Sequence, residues 1–237
     1  MFALQILWDQ IFWFNNNLIK LPNFKKKFQY ENDFYLSCKP ERIAKLAAHY
    51  ELFKLTEKIP GDIIECGVFK GASFSRFAMF RELSKYPQKK KIIGFDTFGK
   101  FPETNFKKDS KSRKNFIKIA GDTSISKNQL VNVLKNKGIT KKIELIKGDI
   151  IQTIPQYIKS HPKLKISLLN LDTDIYEPAV TILENLYPRI SKGGILILDD
   201  YKVFPGETKA VNDYFKRKKI SIKKFPFSKT PYYIIKK

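Results

Sequence analysis

Five short apolar runs along the chain each close on an acid. "GDIIEC" carries Glu65 next to its end and "KKIIGFD" ends at Asp96. "KIELIKGD" ends at Asp149, "LKISLLNLD" at Asp172, and "GGILILDD" at Asp199 and Asp200. Their length and their content of Ile and Leu predict buried strands. Between them the period changes to that of a helix. Phe74, Phe77, Ala78 and Arg81 share one face of a helix that starts just after Gly71. Ala179, Ile182, Leu183, Leu186, Tyr187 and Ile190 do the same across "PAVTILENLYPRI", where Pro178 suits the first turn. "GETKAVNDYFKRK" predicts another helix, and "ISIKKFPF" with "PYYIIKK" an antiparallel edge pair. Strands alternating with helices predict an α/β fold: a mostly parallel, seven-stranded, Rossmann-like sheet with helices on both faces.

In such a sheet ligands bind outside the carboxyl ends of the strands. Glu65, Asp96, Asp149, Asp172 and Asp199 all fall at or near that edge, and five acids in register read as a site. The expected core domain spans residues 59–237, preceded by a helical extension over residues 1–58. Residues 97–141, after the second strand, are too long for a simple crossover and predict a lid or substrate-binding insertion, helical near Ile125 to Lys137.

Composition narrows the chemistry. Two cysteines, Cys38 and Cys66, provide neither a disulfide framework nor a cysteine zinc site, and suit a reducing cytoplasm. His49 and His161 are too few for a multi-histidine metal site. The net charge of +22 raises a nucleic-acid or membrane partner as the alternative to an enzyme. Only six of the 45 basic residues are Arg, whereas phosphate and base readout favour the Arg fork, so nucleic acid is the weaker reading. At the N-terminus Leu4, Leu7, Trp8, Ile11 and Phe12 share one helical face. That face is expected to pack on the domain or on a second subunit in a homo-oligomer; the competing reading is peripheral membrane contact through residues 1–20. The insertion holds 11 basic and 3 acidic residues, which points to an anionic small-molecule ligand.

Converging carboxylates repel one another by roughly 4 kcal/mol per pair at 4 Å and an effective dielectric near 20, so a shared proton or a cation must offset them. An all-oxygen ligand set suits Mg²⁺, with Mn²⁺ or Ca²⁺ as alternatives. Asp172 and Asp174, two apart, can line one pocket, and Asp199 and Asp200 belong to the neighbouring strand. "ECGVFKG" lacks the dinucleotide fingerprint and the P-loop lysine. Gly67 and Gly71 nevertheless admit a ligand close to the backbone, Glu65 can accept from an ammonium group, and Asp96 sits where a ribose-binding acid is found in such sheets.

The stretch from about Glu41 to Lys237 resembles the macrocin O-methyltransferase family of class I, metal-dependent enzymes that use S-adenosylmethionine (SAM). The resemblance is carried by "PGDIIECGVFKGAS", "GFDTF", "KGDIIQTIP", "LDTDIYEPAVTILENLYPRISKGGILILDDY" and "KAVNDYF". It implies O-methylation of a hydroxyl on a sugar or on a glycosylated or nucleotide-linked substrate, so a small-molecule or glycan acceptor. It implies a SAM site at Glu65, Gly67, Gly71, Ser73, Asp96 and Asp149, with Asp96 on the ribose and Asp149 by the adenine. It also implies Mg²⁺ on Asp172, Asp199 and Asp200, and Asp174 as general base. The chain departs from the family pattern at Phe69-Lys70, Ala72, Thr173 and Pro178-Ala179, and none of these removes a carboxylate.

Overall fold

The structure is a computed structural model that describes residues 18–85 and 90–237. Leu4 to Phe12, and with them the membrane reading of the N-terminus, lie outside the described residues. Among the described residues two α-helices precede the sheet, α1 (Lys27–Ser37) and α2 (Pro40–Thr56). The core then runs β1 (Asp62–Cys66), α3 (Ala72–Leu83), β2 (Ile92–Asp96), α4 (Asp109–Ala120), α5 (Lys127–Asn136), β3 (Ile143–Lys147), α6 (Ile150–Ser160) and β4 (Ile166–Leu171). It closes with α7 (Tyr176–Asn185), β5 (Ile190–Leu198), α8 (Pro205–Phe215), β6 (Lys223–Lys224) and β7 (Tyr232–Ile235). The seven strands form one sheet in the order β3-β2-β1-β4-β5-β7-β6. The first five run parallel, and β7 is antiparallel to both of its neighbours.

Strand alternation sorts the core into two layers. Ile64, Cys66, Leu169, Leu171, Leu196 and Leu198 face α6, α7 and α8. Ile63, Leu168, Ile195 and Ile197 face the other way, where Phe53 of α2, Phe74 and Phe77 of α3 and Leu130 of α5 cover them. Both faces are buried, as a parallel sheet requires. The helix expected to reach Ile190 stops at Asn185; a 3-10 turn over Tyr187–Arg189 follows, and Ile190 already belongs to β5. Pro188 explains the stop, because it cannot donate to the helix and disfavours helical geometry at Tyr187. "ISIKKFPF" yields only the two residues of β6.

The insertion folds as two helices. A bridge between Lys100 and Thr123 closes the loop around α4. Ser126 and Gln129 form a reciprocal capping box at the start of α5. Among the described residues no helix is long and apolar enough to cross a membrane.

Candidate active site

Strand order reverses between β1 and β4, and the crevice outside their carboxyl ends is where a ligand fits this topology. Gly67 (φ +88°) lies there, and a Cβ on it would fall 1.6 Å from the Asp172 carbonyl oxygen. Glycine is therefore required by the approach of the two strand ends. Gly71 (φ +78°) starts α3 from the left-handed region. Phe69 between them also has a positive φ (+47°), a strained geometry for an aromatic residue. Asp96 supports it. Oδ2 of Asp96 accepts from the backbone N–H groups of Val68 (2.8 Å) and Phe69 (3.0 Å). Oδ1 accepts from Phe98 N–H (2.6 Å) and Ser124 Oγ (2.9 Å). The acid expected on a ribose thus has both oxygens engaged in holding the loop. Asp149 lines the cleft and caps α6 through Ile151 N–H (2.9 Å).

Glu65 is fully buried. One oxygen accepts from Ser73 Oγ (2.7 Å) and the other has no partner. Its register partner on β4 is Asn170, whose side-chain oxygen and nitrogen are also unpartnered. Burial pushes the Glu65 carboxyl up to about 8. Unmet polar atoms side by side at the end of β1 and β4 fit the ammonium and carboxylate of an amino-acid-bearing cofactor.

Asp172, Asp174 and Asp200 each bring a carboxylate oxygen to within 4.8 Å of the other two. Burial, and after it the neighbouring carboxylates, push the carboxyls of Asp172 and Asp174 well above the usual range and that of Asp200 upward. Asp174 takes φ +64°, which Asp tolerates better than most residues, and its carbonyl is held by Glu207 N–H at 3.1 Å.

Asp199 does not join this group. Adjacent residues at a strand end point to opposite sides, so the Asp199–Asp200 pair divides. Asp199 turns toward α2, where Lys45 Nζ meets Oδ2 and His49 Nε2 lies 3.1 Å from Oδ1. Arg76 Nη1 is 2.9 Å from His49 Nδ1. Arginine only donates, so Nδ1 accepts and Nε2–H donates to Asp199; His49 is the neutral tautomer. Burial lowers its pKa, in keeping with that state. Lys45 above all, with His49, holds the Asp199 carboxyl well below its ordinary range against the cost of burial.

Sequence reasoning missed Lys45 and His49, which reach Asp199, and Arg76, which reaches His49; these are long-range contacts with no local signature. It also missed Glu207 on α8. That residue is fully buried, accepts from Asp200 N–H at 3.1 Å through Oε1 and leaves Oε2 unpartnered.

The main cleft runs from Gly67, Phe69 and Thr97 past Asp149 and Ile150 to Asp172, Thr173 and Asp174, with Phe101, Glu103 and Phe116 of the insertion as its far wall. Phe116 packs against Phe69 (5.2 Å between centroids), Phe101 (5.7 Å) and Phe204 (6.2 Å). Two acids anchor that wall. Buried Asp109 accepts from Gly206 N–H (2.7 Å) and Tyr176 N–H (3.1 Å), at the starts of α8 and α7. Glu177 accepts from Asn105 N–H (2.7 Å), Phe106 N–H (3.1 Å) and Thr104 Oγ1 (2.9 Å). No lysine or arginine lines the cleft among the described residues, whereas Glu103, Asp149, Asp172, Asp174 and Glu177 do. Lys107, Lys108, Lys111, Lys114 and Lys118 are exposed instead. The charge of the insertion therefore does not argue for an anionic acceptor, because none of its lysines lines the cleft.

Comparison with known proteins agrees with this geometry. The profile of the family described as Macrocin-O-methyltransferase (TylF) matches residues 38–228. The 8-demethyl-8-(2,3-dimethoxy-alpha-L-rhamnosyl)-tetracenomycin-C 4'-O-methyltransferase of Streptomyces olivaceus is 28% identical over 70% of this chain and 62% of its own length. The Mycinamicin III 3''-O-methyltransferase of Micromonospora griseorubida is 27% identical over 70% of this chain and 65% of its own. The chain thus spans less than two thirds of the length of these curated relatives. In solved structures, the calicheamicin methyltransferase CalS11 superposes with a TM-score of 0.71 at 24% identity, covering 86% of this chain and 83% of that one. The O-methyltransferase NovP superposes with a TM-score of 0.65 at 21% identity, covering 81% of this chain and 78% of that one. Both show the class I methyltransferase fold.

Proposed function

We propose that this chain, which belongs to the macrocin O-methyltransferase family, transfers a methyl group from SAM to a hydroxyl of a sugar on a small glycosylated acceptor. The observation that carries the reading is the cluster of Asp172, Asp174 and Asp200, of which Asp172 and Asp174 line the main cleft beside Gly67 and Asp149, with buried, unpartnered polar atoms of Glu65 and Asn170 on the adjoining strands β1 and β4. Curated relatives named for methylation of glycosylated antibiotics support the acceptor class. The cleft's acidic and aromatic lining favours a neutral acceptor.

Glu65 and Asn170 would hold the amino-acid end of SAM, with Ser73 fixing the Glu65 rotamer. Gly67 leaves the backbone open beside them. Asp149 and Ile150 line the stretch of cleft assigned to the adenine, and Asp96 acts by pinning the Val68–Phe69 loop. SAM supplies an activated methyl group on its sulfonium. The three-carboxylate cluster fits a hard divalent cation such as Mg²⁺, which binds oxygen ligands and commonly uses one or two carboxylates. Held there, such an ion would supply Lewis acidity that makes the acceptor hydroxyl easier to deprotonate. Asp172 and Asp200 are the ligands in this reading. Asp174, which lines the cleft, takes the proton from the acceptor hydroxyl as general base. The insertion wall positions the acceptor and excludes water, and bringing two bound substrates into line supplies much of the rate.

The test is calorimetric titration of S-adenosylhomocysteine into the protein with Mg²⁺ and again with EDTA, followed by turnover with neutral glycosides and nucleotide sugars. Micromolar binding and methylation of a neutral glycoside are expected. Failure to bind in both conditions would sink the methyltransferase reading.

A further inference from the structure

A second groove lies at the end of the sheet opposite the cleft. The pairing of β5 with β7 places it: Tyr232 lies beside Leu198, next to Asp199, whereas Ile235 lies beside Ile195 and Lys236 exchanges backbone hydrogen bonds with Gly193 and Gly194. The groove runs between the end of β7 and the irregular segment after α8, and it shares no residue with the main cleft. Lys218, Lys219, Lys223, Lys236 and Lys237 line it with Tyr187, and no Asp or Glu side chain does. Among the described residues none of these five lysines forms a salt bridge. Two of the ammonium groups are held on one ring. Lys236 Nζ is 3.9 Å from the Tyr187 centroid and donates to the Tyr187 carbonyl at 3.1 Å. Lys218 Nζ is 5.9 Å from the same centroid and 3.3 Å from that of Tyr214. Tyr187 and Tyr214 are themselves fixed edge to face, 5.6 Å between centroids. The aromatic faces attract each ammonium, but the two cations repel one another. Burial, and after it the Lys218 charge, lower the pKa of the Lys236 ammonium. An anion entering the groove replaces that repulsion by attraction to both.

We propose that this groove is a binding site for a phosphomonoester or diphosphate group, held by Lys218 and Lys236 with Lys219, Lys223 and Lys237 around it. Lysine binds phosphate as a point charge, so several ammonium groups from separate segments do what one arginine fork does elsewhere. A soluble diphosphate or phosphate ester carries this chemistry, and so does a lipid headgroup such as that of phosphatidic acid. Either leaves the main cleft free, because the two sites lie at opposite ends of the strands. The site is independent of the methyl-transfer reading. Because lysine is abundant throughout the chain, a charge-matched control separates the groove from net charge.

Two measurements on the full chain test this. One is calorimetric titration of sodium pyrophosphate at fixed ionic strength, with EDTA present so that no metal bridges the probe to the acidic cluster. The other is co-sedimentation with phosphatidylcholine vesicles, with and without phosphatidic acid. Lys218→Gln/Lys236→Gln removes both ring-held charges and is expected to weaken binding about tenfold or more. Lys114→Gln/Lys118→Gln removes the same charge from exposed positions on α4, and binding within about twofold of wild type is expected. Lys219→Gln/Lys223→Gln, at exposed groove positions, is expected to weaken binding about threefold or more and carries the test if the first pair does not fold. Pyrophosphate binding that the groove variants lose assigns a soluble ligand. Sedimentation that requires phosphatidic acid and is lost in the same variants, without pyrophosphate binding, assigns a lipid headgroup. Equal effects, or none, in the groove and control variants would show that net charge alone binds and would overturn the proposal. Absence of wild-type binding in both measurements would overturn it as well.

Discussion

Glu65 is held mostly in its protonated form at neutral pH, because burial lifts its carboxyl to about 8 and Ser73 serves only one oxygen. A cofactor ammonium placed at the other oxygen favours the ionised form. Binding of S-adenosylhomocysteine near pH 7 is therefore expected to release up to about one proton, falling toward none above about pH 9. Calorimetry in buffers of different ionisation enthalpy reads this directly, and proton-neutral binding would remove Glu65 from the ammonium site. The same shift acts on stability. The folded pKa lies above the unfolded value of 4.5, so the native state holds the extra proton. The contribution is fully present below about pH 4.5 and is lost as pH rises through about 8. Glu65→Gln is expected to flatten that part of the pH–stability curve. At Asp174 the expected outcome is a split: Asp174→Asn retains cofactor binding while turnover falls by about 10²–10⁴. Near-wild-type turnover would take the base role away from it. Asp172, Asp174 and Asp200 were legible in the sequence because acids at the ends of apolar runs stand out. Asp199 was legible in the same way, but its turn toward Lys45 and His49 was not, because adjacent residues diverge at a strand end. Lys45 and His49 were invisible because they lie 154 and 150 residues from the acid they hold.

Among the elements, the insertion depends on Asp109. Its carboxylate joins the first residue of α4 to the starts of α7 and α8, where the helix dipoles favour a negative charge. Removing it leaves two backbone N–H groups buried without a partner. Asp109→Ala is expected to cost about 1–3 kcal/mol per unmet group and to loosen the wall carrying Phe101 and Phe116. Limited chymotrypsin digestion should then cut within residues 97–126 faster than in the wild type, and KM for the acceptor should rise more than kcat falls. Unchanged digestion would show that Glu177 and the aromatic contacts suffice. The sequence predicted a helix near α5, where the apolar spacing is regular and a capping box starts it. It did not predict α4, whose run "DSKSRKNFIKIA" is mostly polar and buries only Asp109, so tertiary docking rather than periodicity makes it a helix.

For the whole molecule, the question is where the folding unit begins. Reading the chain by its apolar runs puts a boundary near residue 58, because β1 is the first strand. The packing continues upstream: α2 buries Ala48, His49, Leu52, Phe53 and Thr56, and Leu52 and Phe53 belong to the same core cluster as Ile63, Phe77 and Ile195. By contrast α1 buries no residue. The family profile begins at residue 38, close to the start of α2. Loss of a buried Leu or Phe side chain costs about 2–5 kcal/mol, and deletion of α2 removes both along with the partners of Asp199. That sum competes with the whole stability of a domain, about 5–15 kcal/mol. A chain starting at Lys39 is therefore expected to unfold cooperatively and to bind S-adenosylhomocysteine. A chain starting at Ile59 is expected to lose its cooperative thermal transition and expose apolar surface to a dye such as ANS. Cooperative unfolding of the shorter chain would place the boundary at residue 58 after all, and would make Lys45 and His49 additions to a site that is complete without them.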